Sequence, residues 1–240
     1  MRAEQSEKLF KHIANRAEHQ GLQVNGKKMT LLAISGARSY QARAHIYDQN
    51  QERVDSVANL KTLGFIFNET GTVKDQIQTL IDKVNTRTWT LRELANGGFT
   101  EAERLEVYKT MIRPIIEYSS VVYNSMLTQE QEEDLEKVQT RALKNIYGHV
   151  YSRRQLYQMS GIETLKERRD RACLKFAQKL ANNPRFACWL PRKRAGSRQQ
   201  QTEEYVEYPA RTDRRKNSPL FHFRRLLNTN RVQYDVRRMH

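Results

Sequence analysis

The residue types that most often carry out chemistry are few and scattered in this chain. Its two cysteines, Cys173 and Cys188, cannot form a zinc ribbon or knuckle alone, and the nearest downstream histidine is the distant His222. There is no nucleophile elbow, no phosphate-cradling glycine loop and no His/Cys/Asp constellation. A hydrolase therefore has no support, and both cysteines are interpreted as core or surface thiols in a reducing compartment.

Positive charge is the feature with chemical meaning, because it is unevenly distributed. Residues 1–140 contain 18 Lys and Arg against 19 Asp and Glu, a net of −1, whereas residues 141–240 contain 24 against 8, a net of +16; together these give the +15 of the chain. Basic surfaces attract phosphate backbones through Coulomb attraction and counterion release. The second half thus predicts a nucleic-acid partner or an anionic surface, with a solvated basic face as the plainer alternative.

The candidates for phosphate contact lie mostly on polar faces of predicted helices. They are Arg113, Arg141, Lys144, Arg153, Arg154, Arg168 and Arg169. Any one of them could be a solvated surface residue, and only the set favours nucleic acid. Four aromatic residues could stack on bases but lie at helical spacing with aliphatic residues, which favours the core: Trp89, Tyr108, Tyr118 and Tyr123.

The elements that position these residues change near residue 73. Before it, apolar spacing predicts a helix over residues 4–20 and strand-like segments at 29–34, 42–47, 53–57 and 60–67, with Asp48–Gln51 as a hairpin loop. After it, the pattern is helical. Helices are predicted from 73 to Gly97, from Thr100 with a break at Pro114, from the capping box at Thr128 to Gly148, from Ser152 to Gly161, and over 164–182.

Beyond Pro184 the periodicity fails, and the sequence predicts an irregular, basic and partly disordered tail. The expected fold class is α+β, mostly α: a small sheet with one helix, then a helical bundle and the tail. The expected divisions are residues 1–72, 73–148, 149–184 and 185–240. Without a signal peptide or a long apolar run, the expected location is intracellular, cytoplasmic or nuclear, with no membrane partner.

Five strings resemble, in order, motifs of non-LTR (LINE-type) retrotransposon reverse transcriptases, over roughly residues 5–180. They are GLQVNGKK at 21–28, LKTLGFIF at 60–67, RTWTLREL at 87–94, YKTMIRPIIEY at 108–118 and LEKVQTRAL at 135–143. The resemblance implies the end of a palm subdomain followed by a helical thumb. It also implies that Lys28, or Lys27 beside it, matches a lysine that assists the pyrophosphate leaving group, a solvated turn lysine being the alternative. By the same resemblance, Lys61, Leu63 and Gly64 belong to a hairpin that contacts the primer.

The family's polymerases hold two Mg²⁺ ions with carboxylates, including a pair in an Asp-Asp hairpin. Adjacent acidic residues occur here only at Glu132–Asp134, on a predicted helix start, and at Glu203–Glu204, in the tail. The chain is therefore expected to have no catalytic or metal residues of its own and to bind no cofactor, although the intact parent enzyme needs Mg²⁺. The expected function is a truncated fragment that holds RNA or template–primer without polymerising.

Two partners are expected from this interpretation: nucleic acid and the missing palm and fingers portion. The alternative function is a helical protein–protein interaction module with no nucleic-acid role. In that case the apolar stripes of residues 73–147 pack against another protein.

Overall fold

The computed structural model describes residues 3–34, 45–48, 50–192, 204–210 and 212–238. Part of the predicted strand over 42–47 lies outside the described residues. Contacts divide the chain into two compact units, residues 1–76 and 77–240. The division falls inside the first turn of a long helix, a few residues after the predicted change of character.

The first unit contains one long helix and two antiparallel hairpins. Helix α1, Ala3–Glu18, packs against strand β1, His45–Tyr47, and buries Ala14 completely. The other residues of its predicted apolar face are less covered, and Leu9 and Ile13 remain more than half exposed. The helix is therefore held to its unit by a narrow strip, and much apolar surface faces outward.

The sheet region is smaller and more divided than the strand pattern predicts. Strand β1 pairs with β2, Arg53–Asp55, while β3, Asn59–Thr62, pairs with β4, Phe65–Asn68. The predicted single strand over 60–67 is thus a hairpin, because a two-residue turn interrupts it. The predicted strand over 29–34 contributes only one bridge, from Leu31 to Ser56.

The second unit is built from helices, which makes the whole fold α+β and mostly α, as predicted. Most of these helices bury apolar residues. In chain order they are α2 (Lys74–Asn96), α3 (Glu101–Val107), α4 (Arg113–Glu117), α5 (Ser120–Tyr123), α6 (Gln129–Tyr147), α7 (Arg153–Ser160), α8 (Leu165–Ala181), α9 (Asp213–Lys216) and α10 (Pro219–Arg238).

Capping boxes fix where four of these helices begin. At Thr128, the hydroxyl accepts a hydrogen bond from the backbone N–H of Gln131 at 3.2 Å, and the Gln131 side chain accepts one from the Thr128 N–H at 3.0 Å. The same reciprocal arrangement occurs at Thr100, Ser152 and Thr164. Each box satisfies two backbone donors that the first helical turn cannot. The predicted starts at Thr100, Thr128 and Ser152 are confirmed.

Pro114 breaks its helix as predicted, and the break takes a specific form. Residues Tyr108–Ile112 form a π-turn between α3 and α4, in which the Arg113 N–H donates to the Tyr108 carbonyl. A proline removes one donor and crowds the carbonyl four residues earlier, so a wider turn before it relieves the conflict. Tyr108 and Ile112, at the two ends of the π-turn, are both buried.

A polar network crosses the core of the second unit. The buried Gln139 side chain accepts a hydrogen bond from the Tyr108 hydroxyl at 2.6 Å and donates to the Tyr157 hydroxyl at 2.9 Å and the Glu163 carbonyl at 3.0 Å. Tyr157 in turn donates to Glu136 at 2.7 Å. Burial away from water raises the pKa of Tyr108 and of Tyr157, so both hydroxyls stay protonated and can donate.

The segment beyond Pro184 differs most from its prediction, because part of it is a helix that packs on α8. Buried residues from α8, the segment and α10 form one apolar cluster: Cys173, Ala177, Leu180, Leu190, Tyr205 and Phe223. Asn228 on α10 accepts a hydrogen bond from the Tyr205 N–H at 3.0 Å and donates to its carbonyl at 3.2 Å. The tail's described residues are thus tied to the bundle.

None of the helices in the described ranges is long and apolar enough to cross a membrane.

Candidate nucleic-acid interface

The hairpin tip in the first unit has an unusual backbone. Thr62 pairs with Phe65, which leaves Leu63 and Gly64 as a two-residue turn with φ of 48° and 79°. Positive φ at both positions is what a type I′ turn requires, and asparagine and glycine fill such turns at least cost. Leucine is strained there, and its side chain is 88% exposed. The turn therefore projects an apolar side chain outward, with the exposed Lys61 on the adjoining strand.

Lys28 ends a short 3₁₀ turn, Gly26–Lys28, and its side chain is exposed, as is that of Lys27. The neighbouring Gly26 approaches the buried Asp48 so closely that an added Cβ would lie 2.3 Å from Oδ2. The same carboxylate accepts backbone hydrogen bonds from Asn50 and Glu52 at 2.8 Å each. Glycine is needed here for close packing, and the turn is held on the β1–β2 hairpin.

Two of the predicted phosphate-binding arginines are occupied by carboxylates. Arg153 donates two hydrogen bonds to Glu133, at 2.6 and 3.1 Å, and the hydrogen bonding lowers the pKa of Glu133 below its ordinary 4.5. Arg168 makes a two-pronged contact with Glu117, which raises its own pKa, and also lies 3.7 Å from Glu163. A bidentate contact between a guanidinium and a carboxylate has a fixed geometry. In each of the two pairs, the carboxylate already neutralises the charge of the arginine.

Two further arginines are largely withdrawn from the surface. Arg169 is 1% exposed, donates from Nε to Asn124 at 3.0 Å, and has its Nη2 3.9 Å from Glu132. Both of its Nη atoms are buried and lack a hydrogen-bond partner in the described structure. Arg113 points its Nε to within 3.3 Å of Glu117, off hydrogen-bond alignment. Arg169 thus holds α8 to the turn after α5 and cannot reach a phosphate.

The remaining three candidates behave differently from one another. Arg141 donates from Nη1 to the Asn85 side chain on α2 at 2.5 Å, an uncharged partner that leaves its charge available. Lys144 is partly buried, and Arg154 is exposed on α7. Within the described part of the chain, neither of these two side chains has an ion pair. The structure therefore does not bring the seven predicted cations together as one free basic surface.

Unpaired cations occur instead further along α8, beyond Arg168 and Arg169, the two residues of this helix that the sequence predicts as phosphate contacts. Arg171, Lys175 and Lys179 follow at intervals of four residues and are all exposed. Arg171 pairs with Glu163, whereas Lys175, Lys179 and the exposed Arg185 have no acidic partner among the described residues. The sequence does carry a signal for this surface, since it has no Asp or Glu between Asp170 and Glu203.

Of the four aromatic residues that the sequence assigns to the core, two are buried and two are exposed. Tyr108 and Tyr123 are fully buried, as predicted, with the Tyr123 hydroxyl donating to the Ile116 carbonyl. Trp89 and Tyr118 are more than half exposed, so the core prediction is wrong for these two. Helical spacing alone cannot distinguish the core face of α2 from the face beside it when threonines and arginines alternate with the apolar residues.

Among the described residues, no group of three or more His, Cys, Asp or Glu side chains is placed to hold a metal ion. Comparison with protein-family models, with curated proteins and with solved structures finds no match to this chain. Geometry and charge are thus the grounds for assigning a function.

Proposed function

We propose that this chain is a palm-and-thumb fragment of a LINE-type reverse transcriptase that holds RNA or template–primer and does not polymerise alone. The observation that carries the proposal is the division of positive charge in the second unit. Up to Arg171 many of the cations are matched by nearby carboxylates, whereas Lys175, Lys179 and Arg185 are exposed and unmatched. A phosphate backbone binds most strongly where cations are not already neutralised.

The phosphate-binding surface is proposed on α8 because acidic residues of α6 and neighbouring segments already pair with Arg153 and Arg168. To bind a phosphate, Arg153 or Arg168 must first give up a two-pronged carboxylate contact, which offsets most of the gain. Lys175 and Lys179 give up only water and counterions, whose release favours binding. Arg154 and Lys144 extend the set of available charges on α7 and α6.

The hairpin tip of the first unit supports the same function independently. A strained, exposed leucine at a turn that glycine or asparagine fills more readily is a feature expected at functional sites. An apolar residue beside Lys61 suits contact with a sugar–phosphate strand, in agreement with the resemblance to a primer-contacting hairpin.

Salt dependence of binding tests the proposal. The full chain is titrated into a labelled single-stranded RNA of about 12 nucleotides, and fluorescence anisotropy is followed from about 50 to about 200 mM salt. Each phosphate contact on a single strand contributes about −0.7 to the slope of log K against log salt. Lys175→Gln/Lys179→Gln should therefore make the slope shallower by about 1.4. An unchanged slope, or no binding by the parent chain, overturns the proposal.

A matched control removes an ion pair without changing the net charge. Glu133→Gln/Arg153→Gln deletes a carboxylate and a guanidinium that already neutralise each other, so the slope should stay at the parent value. If this variant loses as much slope as the lysine variant, the paired arginines bind phosphate and α8 is not the main surface.

Primer extension tests the other half of the proposal. With a primed template, nucleotides and Mg²⁺ or Mn²⁺, the purified chain should add no nucleotides, because its sequence contains no Asp-Asp hairpin. Robust templated synthesis refutes this part and leaves the binding part standing.

A protein partner is a second candidate function, favoured by one observation in the first unit. Leu9 and Ile13 on α1 are more than half exposed, so its apolar face is only partly covered within its own unit. The apolar stripe of α2, by contrast, is buried at Ile77, Leu80, Val84 and Leu91. A partner is therefore expected on α1, as a missing palm portion would be. Leu9→Glu/Ile13→Glu should abolish co-purification with a separately expressed palm and fingers portion.

A further inference from the structure

Two partly exposed aromatic residues, Trp189 and Tyr208, lie beside the same buried arginine in the segment that joins α8 to α10. Arg192 and Tyr205 form an antiparallel bridge, and the Val206 N–H donates to the Pro191 carbonyl at 2.9 Å in the same register. Trp189 ends the 3₁₀ turn Ala187–Trp189, three residues before the bridged Arg192, and Tyr208 lies three residues after the bridged Tyr205. The side chains of Trp189 and Tyr208 are 49% and 46% exposed.

A buried arginine on α10 links the two aromatic residues. Arg224 donates from Nη2 to the Trp189 carbonyl at 2.7 Å, and its guanidinium carbon lies 5.1 Å from the centre of the Tyr208 ring. The same carbon lies 5.4 Å from the Phe221 ring on its own helix. The Trp189 ring is backed by Phe186 at 5.0 Å between centroids. Both exposed rings are thus held in place from behind.

The surroundings of this aromatic pair are basic. Arg185, Arg215, Lys216 and Arg225 have no acidic partner among the described residues, and Arg215 lies 5.7 Å from the Phe221 ring. Among the acidic residues nearby, Glu204 pairs with Arg192 at 3.0 Å, whereas Glu207, which accepts from the uncharged Asn228 at 3.2 Å, and Asp213 have no ion pair among the described residues. The four cations outnumber these two carboxylates. The pair of rings therefore lies in a field that favours an anion.

We propose that Trp189 and Tyr208 form a stacking site for the unpaired bases of a single-stranded nucleic acid, with the cations around them holding its phosphates. The proposal rests on the proposed function and names the strand form that it prefers. Every base has an aromatic face, so stacking does not depend on the sequence of the strand. Each stacked base contributes substantially to the affinity of proteins that bind single strands. Bases inside a duplex are already stacked on each other and cannot present their faces to these rings.

Arg224 strengthens the site from within. A cation behind the Tyr208 ring is attracted to its electron-rich face and fixes the ring orientation. A rigid ring loses little rotamer freedom when a base stacks on its outer face. The guanidinium itself is buried and acts as a positioning residue, so the bases meet the rings and not the cation.

The test uses the fluorescence of Trp189 in the full chain. The chain has two tryptophans, and Trp89→Phe leaves Trp189 as the only reporter. An oligouridylate of about 12 nucleotides should quench this fluorescence as it saturates the protein, while a blunt RNA hairpin with the same number of phosphates should quench it much less. Equal affinity for the two RNAs with no quenching by either overturns the proposal.

Substitutions identify the stacking faces. Tyr208→Ala and Trp189→Leu should each weaken oligouridylate binding about tenfold and leave hairpin binding unchanged. Tyr208→Phe keeps the ring and should bind like the parent, and Tyr151→Ala removes an exposed tyrosine elsewhere and serves as the matched control. Circular dichroism confirms that the variants fold, and Trp189→Leu provides a second reading if Tyr208→Ala does not.

The outcomes separate this proposal from the broader one. If the chain binds both RNAs with a steep salt slope and the aromatic variants bind like the parent, only the stacking site is overturned. If it binds neither RNA at any salt concentration, the proposed function fails as well.

Discussion

Replacing Gln139 with leucine should destabilise the second unit, because Gln139 joins α6 to α7, to the π-turn at Tyr108 and to the loop before α8. Leucine has a similar volume, so the change removes hydrogen bonds while leaving packing nearly intact. It leaves the buried Tyr108 hydroxyl without its acceptor and the Glu163 carbonyl without its donor. The Tyr157 hydroxyl keeps its bond to Glu136.

The expected cost follows from the two groups left unsatisfied. Each buried donor or acceptor without a partner costs about 1 to 3 kcal/mol. The added apolar contact of the leucine offsets part of the cost of the two groups. Gln139→Leu should therefore lower the free energy of unfolding by about 3 kcal/mol. Tyr108→Phe leaves only the Gln139 oxygen unsatisfied and should cost about 1.5 kcal/mol. The double variant leaves neither member of the Tyr108–Gln139 bond unpaired, and should be about 1.5 kcal/mol more stable than the two separate costs imply.

Urea unfolding followed by tryptophan fluorescence measures these energies. Both tryptophans, Trp89 and Trp189, belong to the second unit, so the signal reports on the unit that contains the network. Thr140→Ala on the same helix serves as a control, since its hydroxyl bonds only to a backbone carbonyl one turn earlier. A cost below about 1 kcal/mol for Gln139→Leu, or strict additivity in the double variant, would refute the network.

Two further predictions concern the hairpin tip and a histidine on α10. Leu63→Asn should stabilise the first unit by about 1 kcal/mol in a thermal melt, because asparagine tolerates positive φ, yet weaken RNA binding; stronger binding contradicts a role for the leucine. Burial, and then Arg225, lower the pKa of His222 below its ordinary 6.5, and Asp170 opposes them more weakly. The unfolded state therefore binds this proton more tightly, so the unfolding free energy should fall as pH drops below 6.5. His222→Gln should make that fall shallower, and an unchanged pH profile contradicts the assignment.

The helices of this fold are predictable because their boundaries depend on neighbours in sequence. Thr128 and Gln131 close a capping box three residues apart, and Gly148 ends the same helix with a positive φ. Pro114 likewise identifies its own break. The hairpin at Leu63 could not be predicted from periodicity. Apolar residues occur before, within and after the turn, so the pattern does not show where the chain reverses direction.

The partners of the arginines are not predictable in the same way. Glu133 lies 20 residues before Arg153, and Glu117 lies 51 residues before Arg168. A cation on a polar helix face looks the same in sequence whether or not a carboxylate arrives from another helix. The absence of Asp and Glu between Asp170 and Glu203 is the sequence pattern that indicates this unmatched charge.

The tail was hidden for a related reason. Its apolar residues Leu190, Tyr205 and Phe223 are too widely spaced to show a period, and they join one cluster with residues of α8. Asn228 then fixes Tyr205 through the backbone, an interaction that local composition does not reveal.

The packing of α10 on α8 also has a consequence for how the protein is made. Cys173, Ala177 and Leu180 leave the ribosome before Phe223 does, so this side of α8 remains uncovered until α10 has emerged. Until α10 packs on α8, the nascent chain exposes an apolar strip close in sequence to Lys175 and Lys179. Final closure of the second unit is thus a late step, and it coincides with the completion of the surface on which the bases are proposed to stack.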